Sequence, residues 1–408
     1  MRLNQVIGRR AKKDILKGSG DMEDNIMKRK ILYITGTRAD YGLMQSVLRE
    51  IEKLPNLELE IIATGMHLME EFGMTVNEIK KDKFRIHEID TTFEGDDKES
   101  TANFIGKFIQ LLTTKVKEIK PDIILLIGDR SEMLGGAIVG SYMGIPVAHV
   151  HGGDISSTVD EHARHAITKL AHLHFPATKK SASNILKMGE ERWRVHTVGS
   201  PSLDGMFDGQ SAKPEKLERK YGIDSSKQLI LAVQHPVSIE YSSAAAQMKE
   251  TLEALVKLEK QTVLVYPNAD AGGRAMISEI RRYEGCSFLK IFKNIPRSDY
   301  LGIMRLASAM VGNSSSGIVE APSFSIPVVN IGTRQEGREK AGNTIDVGYD
   351  RWEIVAALKR ALEDKEFRRK VARCKNPYGD GRAGERIADV LSRIEIDDAL
   401  LQKRLSYK

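Results

Sequence analysis

Short apolar runs alternate along this chain with stretches whose apolar residues recur at three- and four-residue steps. "KILYITGT" (30–37) is followed by "RADYGLMQSVLREIEKL" (38–54), with Leu43, Val47, Leu48, Ile51 and Leu54 at helical spacing, which predicts a strand and then a helix. The alternation continues through strands at 57–64, 84–89, 122–129 and 146–150, with helices through 101–119 and around 131–142. It restarts after Pro201, with strands in "QLILAVQHP" (228–236), "QTVLVYPN" (261–268), "SFLKIF" (287–292), "SAMVGN" (308–313) and "PVVNIG" (327–332). Continuous Ile/Leu/Val strands separated by helices imply parallel sheets covered on both faces. The expected fold is therefore α/β, with two doubly wound Rossmann-like domains that meet near "VGSPSLDG" (198–205).

A length of 408 residues suits two domains of ordinary size, and 41% hydrophobic with 29% charged residues suits a water-soluble chain. No apolar run approaches the roughly 20 residues of a membrane span, and the start lacks a signal-peptide core, so a cytoplasmic location is expected. Cys286 and Cys374, far apart and without a CxxC step, encode neither a disulfide framework nor a thiolate metal site. Residues 1–30 carry five of the six net positive charges, so the basic tilt belongs to a terminal extension and not to a nucleic-acid face.

Ligands of open α/β sheets bind beyond the carboxyl ends of the strands. The polar, Gly-rich segments fall at those ends in both halves: "GTRADYG" (36–42), "GMH" (65–67), "GDRSE" (128–132), "HGGD" (151–154), "QHP" (234–236), "PNADAGG" (267–273), "GNSSSG" (312–317) and "GTRQEGRE" (332–339). The expected site is the cleft between the domains. In "GNSSSGIVE", Ser314 and Ser315 sit where a helix begins, which suits a diphosphate, and Glu320 can accept a ribose diol. Alone, the segment reads equally well as a serine N-cap with a surface glutamate. Arg38, Arg130 and Arg334 each follow a strand-end Gly-Thr or Gly-Asp step, where guanidinium forks suit phosphate oxygens. "GTRADYG" is not GxGxxG, and "GNSSSG" lacks the lysine of a P-loop, so neither a dinucleotide nor a kinase-type ATP site is supported.

Residues 149–174 hold six of the ten histidines. From Val159 the segment reads as a helix with Val159, Ala163, Ala166, Ile167 and Leu170 inward and with His162, His165, Lys169 and His172 in one polar stripe. A lysine inside the stripe, and the absence of HExxH, argue against a metal site. Asp129 ends a strand and Asp160 precedes the His-rich stretch; taken singly, they also read as an Arg-paired acid and a helix cap.

In this order, "TRADYG", "GDR", "HGGD…VDEHARHAITKLAHLH", "QHPV", "PNADAG", "GNSSSGIVE", "NIGTRQEGRE" and "YGDGRAGERI" resemble the hydrolysing UDP-N-acetylglucosamine 2-epimerases over residues 28–390. The resemblance implies a glycosyltransferase-B-like fold organised as an extension (1–27), a first domain (28–200), a UDP-binding domain (201–380) and a helix crossing back to the first domain (381–408). It implies UDP contacts from Arg38, Arg130, His235, Asn268, Ser314, Ser315, Glu320 and Arg334, with the peptide at Ile295 facing uracil. It also implies catalytic acids at Asp129 and Asp160, with functional histidines at His67, His172 and His174. The implied reaction converts UDP-N-acetylglucosamine and water to N-acetylmannosamine and UDP through a 2-acetamidoglucal. It needs no metal and no nicotinamide, and a homodimer or homotetramer is implied.

Two departures matter. The family's animal members have a histidine before the GDR step, whereas this chain has Ile127. Many family members carry HxEGG where this chain reads "HVHGG", so His151 joins the candidate catalytic groups. HxHGG resembles the relatives handling UDP-N,N'-diacetylbacillosamine, which keeps that substrate open. A non-hydrolysing epimerase, a UDP-sugar glycosyltransferase and a UDP-sugar-binding module are the remaining alternatives.

Overall fold

A computed structural model describes residues 28–70, 73–91, 98–155, 160–206, 211–268 and 271–406. The first sheet contains β1 (Arg29–Thr35), β2 (Leu57–Thr64), β3 (Arg85–Ile89), β4 (Ile123–Ile127), β5 (Val147–Val150) and β6 (Leu173–Phe175), all parallel, in the order β3-β2-β1-β4-β5-β6. The second contains β7 (Ile230–Val233), β8 (Thr262–Val265), β9 (Leu289–Phe292), β10 (Ala309–Gly312), β11 (Val328–Ile331) and β12 (Thr344–Val347), in the order β12-β11-β10-β7-β8-β9. Each order is that of a doubly wound α/β domain. Each reverses between its first and fourth strands, so a crevice opens beyond β1 and β4 and another beyond β7 and β10.

Strand composition accounts for the layering. All five residues of β4 and all four of β5 and of β7 are buried, as strands covered on both faces require. One apolar core, with Ile31, Tyr33, Leu48 and Leu125, lies on one face of the first sheet; another, with Leu32, Phe108, Leu126 and Ile167, lies on the other. The helix Ala383–Arg393 adds Ile387 and Leu391 to the first of these, and burying each contributes roughly 1.5–3 kcal/mol. Asp204 accepts the N–H groups of Ala383 and Gly384 at 2.9 and 2.6 Å, which caps this helix where it returns to the first domain.

Three readings of the chain need correction. The sequence pattern misses β6 and β12, each too short and too polar to stand out (LHF and TIDV). The His-rich helix spans Asp160–Leu170, so His172 precedes β6 and is not part of the helical stripe. Its buried face is Arg164, Ile167 and Thr168, while Ala166 is exposed, because two polar side chains turn inward to serve the strand ends. Val159 and the extension 1–27 lie outside the described residues. Among the described residues, no helix is long and apolar enough to cross a membrane.

Candidate active site

Beyond β1, Thr37 and Asp40 form a capping box at the start of the helix Arg38–Lys53. Asp40 is buried and accepts the Thr35 hydroxyl at 2.6 Å and the N–H groups of Gly36 and Thr37. Burial raises its pKa to about 6, against these hydrogen bonds. Glu132 is fully buried beside it, 3.2 Å from Arg130 Nη2 and 3.1 Å from the Ser131 hydroxyl. A Cβ on Gly36 would lie 2.3 Å from Glu132 Oε1, so glycine at 36 is what lets this carboxylate approach the β1 turn. Arg38 instead forms an ion pair with Glu78 at 3.1 Å, both half-exposed.

Asp129 stands just past β4. Its Oδ2 is in close contact with Nη2 of Arg164, a nearly buried residue four positions after Asp160, the first residue of its helix. Arg164 also donates to the Asp154 carbonyl at 3.0 Å, so one guanidinium ties the end of β4 to the loop after β5. His149, fully buried, donates from Nε2 to the Gly128 carbonyl at 2.7 Å, with Thr168 Oγ1 3.2 Å from Nδ1. His151 follows β5 in a left-handed conformation (φ 62°), held by its N–H on the Phe175 carbonyl at 3.1 Å. Its Nε2 is buried with no hydrogen-bond partner among the described residues. Burial lowers its pKa, with Arg338 and Arg164 reinforcing the shift against Asp154 and Asp129.

The other implicated histidines do not join this pair. His67 is fully buried between the hydroxyls of Thr35 (3.0 Å) and Thr75 (2.7 Å), beneath Asp40. His172 accepts the Val147 N–H on Nδ1 at 3.1 Å, which places it at the amino end of β5, opposite the cleft. His174 lies 3.1 Å from Glu190, a buried carboxylate that Lys169 and Lys403 also approach at 2.6 and 2.7 Å. Against the effect of burial, these partners hold Glu190 at about 2. Their network fastens the C-terminal segment to the first domain: Lys403 donates to the Lys169 and Ala171 carbonyls at 2.7 Å, and Arg194 to those of Ala399 and Leu400 at 2.6 and 2.8 Å.

In the second domain, Gly312 ends β10 at φ 123°, where a Cβ would lie 2.1 Å from the Val233 carbonyl oxygen. The turn that follows directs Asn313 onto His235, accepting its N–H at 2.6 Å and donating to its carbonyl at 2.8 Å. His235 Nδ1 accepts the Asn268 N–H at 3.0 Å. Ser314 caps the short helix Ser315–Val319, and Ser315 is exposed at its start. Glu320 closes that helix, nearly buried and 2.5 Å from Arg297. Ile295 places its side chain in the core, in the loop beyond β9. Arg334 donates to the Asn313 carbonyl at 3.3 Å, as does Gln335 at 2.8 Å.

The two halves meet at residues 153–155 and 337–339. Lys180 donates to the Gly337 carbonyl at 2.9 Å, and a Cβ on Gly337 would lie 2.9 Å from Ile155 Cγ2; within the second domain, Tyr378 donates to the Glu339 carbonyl at 3.1 Å. Carboxylates and a buried imidazole thus line one wall, and serine hydroxyls and arginines the other. Such a cleft can hold an anionic leaving group opposite proton-transfer groups. Arg164, Glu132, Asp40 and Arg338 were not singled out from the sequence. Arg164 carries a signal, standing one helical turn after Asp160; Glu132 and Asp40 stand in first turns of helices, where acids are common.

Burial also gives these histidines a pH signature. His67, His149, His172 and His235 are pushed by burial down to about 4, 3, 4 and 3, from 6.5. The unfolded chain takes up their protons first, so stability present above pH 6.5 falls as pH drops toward about 4, by on the order of 1.4 kcal/mol per pH unit per histidine. Asp40, raised from 3.8, works in the opposite direction below about pH 6 and offsets one of the four. Thermal melts are expected to show a lower Tm at pH 5 than at pH 7.5; an equal or higher Tm at pH 5 contradicts the neutral, buried state of these rings.

The family model described as UDP-N-acetylglucosamine 2-epimerase matches residues 49–392. A Legionella pneumophila protein named UDP-N,N'-diacetylbacillosamine 2-epimerase (hydrolyzing) is 39% identical over 93% of this chain and 100% of its own. A Neisseria meningitidis UDP-N-acetylglucosamine 2-epimerase is 34% identical over 92% and 98% of the two chains. Among solved structures, a UDP-GlcNAc 2-epimerase from Neisseria meningitidis bound to UDP-GlcNAc superposes with a TM-score of 0.75 at 20% identity, over 89% of this chain and 99% of that one. This last likeness bears on the fold alone and agrees with the two-sheet, glycosyltransferase-B-like architecture. On the match to the family model and the two full-length relatives, the chain belongs to the UDP-N-acetylglucosamine 2-epimerase family.

Proposed function

We propose that the protein is a hydrolysing 2-epimerase, which releases UDP and a free 2-epimerised 2-acetamido sugar from a UDP-linked sugar. The observation that carries this reading is Asp129, fixed at the end of β4 by Arg164 of the helix that Asp160 opens, beside His151 with its unbonded Nε2. UDP-N,N'-diacetylbacillosamine is the leading substrate, supported by the 39% identical relative and by the HxHGG form. UDP-N-acetylglucosamine, the substrate the motif series implied first, is the second reading, supported by the 34% identical relative.

The C2 proton of such a sugar is not acidic, so the glycosyl C1–O bond must break ahead of its removal, and UDP departs with the bonding pair. Arginines and the backbone N–H groups of Ser314 and Ser315 stabilise the departing diphosphate. One carboxylate of the Asp129/Asp160 pair takes the C2 proton, which leaves a C1–C2 double bond. Water then adds its oxygen to C1, and C2 receives a proton on the opposite face, which inverts that centre. Contact between the domains at residues 153–155 and 337–339 limits the entry of bulk water.

Turnover of both UDP-sugars side by side, with the products identified by NMR, tests the reading. UDP together with a free 2-epimerised sugar is expected, at an unchanged rate in excess EDTA. A UDP-linked epimer as sole product points to the non-hydrolysing reaction. A requirement for an acceptor points to a glycosyltransferase. Glu320→Ala is expected to weaken UDP binding by about 1.5–3 kcal/mol, the worth of a charged hydrogen bond to the ribose; an unchanged Kd by calorimetry removes Glu320 from the site.

A further inference from the structure

Most arginines on the cleft walls already have protein partners. Arg38 pairs with Glu78, Arg130 with Glu132, Arg164 with Asp129 and Arg297 with Glu320. Arg338 differs. Its Nε is buried without a hydrogen-bond partner, and the guanidinium forms no ion pair among the described residues. The neighbouring acids are engaged elsewhere: Asp129 with Arg164, and Asp154 with the Ser181 hydroxyl at 2.5 Å. The next residue, Glu339, also leaves Oε2 buried and unbonded, without pairing to Arg338.

The backbone around Arg338 is pinned on both sides. Toward the second domain, Arg334 and Gln335 hold the loop to the carbonyl of Asn313, one residue before Ser314. Toward the first, Gly337 rests on Ile155 and takes the Lys180 ammonium, and within the second domain Tyr378 holds the Glu339 carbonyl. Arg338 therefore spans the step from the serine turn to the wall carrying His151 and Asp154. A half-buried cation without a counter-charge is costly unless a ligand supplies one.

Under the proposed reading, on which this inference rests, the uridine and α-phosphate lie against Glu320 and the Ser314 turn, and the reacting carbons lie against Asp129 and His151. The β-phosphate joins the two and must occupy the interval between them. We infer that Arg338 is a substrate-contacting residue that binds the β-phosphate, delivered from the second domain to the point where negative charge grows as the C1–O bond breaks. A planar fork matches two phosphate oxygens at once, which an ammonium does not.

The test compares UDP with UMP, which lacks the β-phosphate, by calorimetry on the full-length protein. Arg338→Met is expected to weaken UDP binding roughly tenfold to a hundredfold, the range for one charged hydrogen-bonding contact, while UMP affinity stays unchanged. Arg338→Lys, which keeps charge and stem, is expected to show a smaller loss with the same selectivity. Turnover in Arg338→Met is expected to fall about 10²-fold or more. A wild-type UDP-to-UMP affinity ratio in both variants overturns the assignment, as does an equal loss of both nucleotides. Turnover of the UDP-sugar by wild type judges the proposed activity separately, since the nucleotide comparison requires no catalysis.

Discussion

Asp129→Asn is expected to lose about 10³-fold in kcat while UDP binds with wild-type affinity, the effect of removing a positioned proton-transfer group and leaving the nucleotide site intact. The amide keeps the shape of the carboxylate and can still meet Arg164 through its oxygen, so the strand end is retained. It can no longer take up a proton or balance the guanidinium charge. Under the proposed function, UDP rests on the second domain, across the cleft from β4. Steady-state kinetics with calorimetry in parallel separates the two effects. Near-wild-type kcat sinks the acid–base role of Asp129, and a matching loss of UDP affinity makes it a structural acid.

His151→Gln carries the second large effect, about 10²-fold in kcat. Glutamine offers a hydrogen-bonding side chain of similar reach but no titrating group. The wild-type ring is kept neutral near pH 7, because burial and the two flanking arginines disfavour the imidazolium. Any acid limb of the kcat profile that belongs to His151 therefore lies below pH 6.5 and is absent from the glutamine variant. His151→Glu, which restores the group many relatives carry, is expected to recover part of the rate and so to separate loss of chemistry from loss of shape. Equal rates in wild type and His151→Gln across pH 5–8 remove His151 from the reaction.

Much of the architecture was legible because both sheets are built from continuous apolar strands, and ten of the twelve strands stand out in the alternation of runs and helical spacing. LHF and TIDV did not, since three or four residues of mixed polarity carry no period of their own. The strand-end loops were legible as a class: Gly36, Gly312 and Gly337 each sit where a Cβ would collide with a neighbour that builds the cleft. Individual partners were not. Arg38 reads as a phosphate ligand from its place after Gly-Thr, yet it meets Glu78, forty residues away and invisible as its mate in one sequence. Neighbouring histidines part company in the fold in the same way. The resemblance implies functional roles for His151, His172 and His174 together, but β5 and β6 send His149 and His174 into the sheet, His172 to its far end and His151 to the cleft. The inward face of the Asp160–Leu170 helix failed by hydrophobicity alone because Arg164 and Thr168 are buried to serve Asp129 and His149.

Hydrolytic 2-epimerisation by glycosyl C–O cleavage is tested by turning over the UDP-sugar in deuterated, oxygen-18-labelled water and analysing both products by mass spectrometry and NMR. Hydrolytic epimerisation gives unlabelled UDP and a free 2-epimerised sugar with deuterium at C2 and the heavy oxygen at C1. Heavy oxygen in the phosphate of UDP, hydrogen retained at C2, or a UDP-linked epimer as the only product would contradict it.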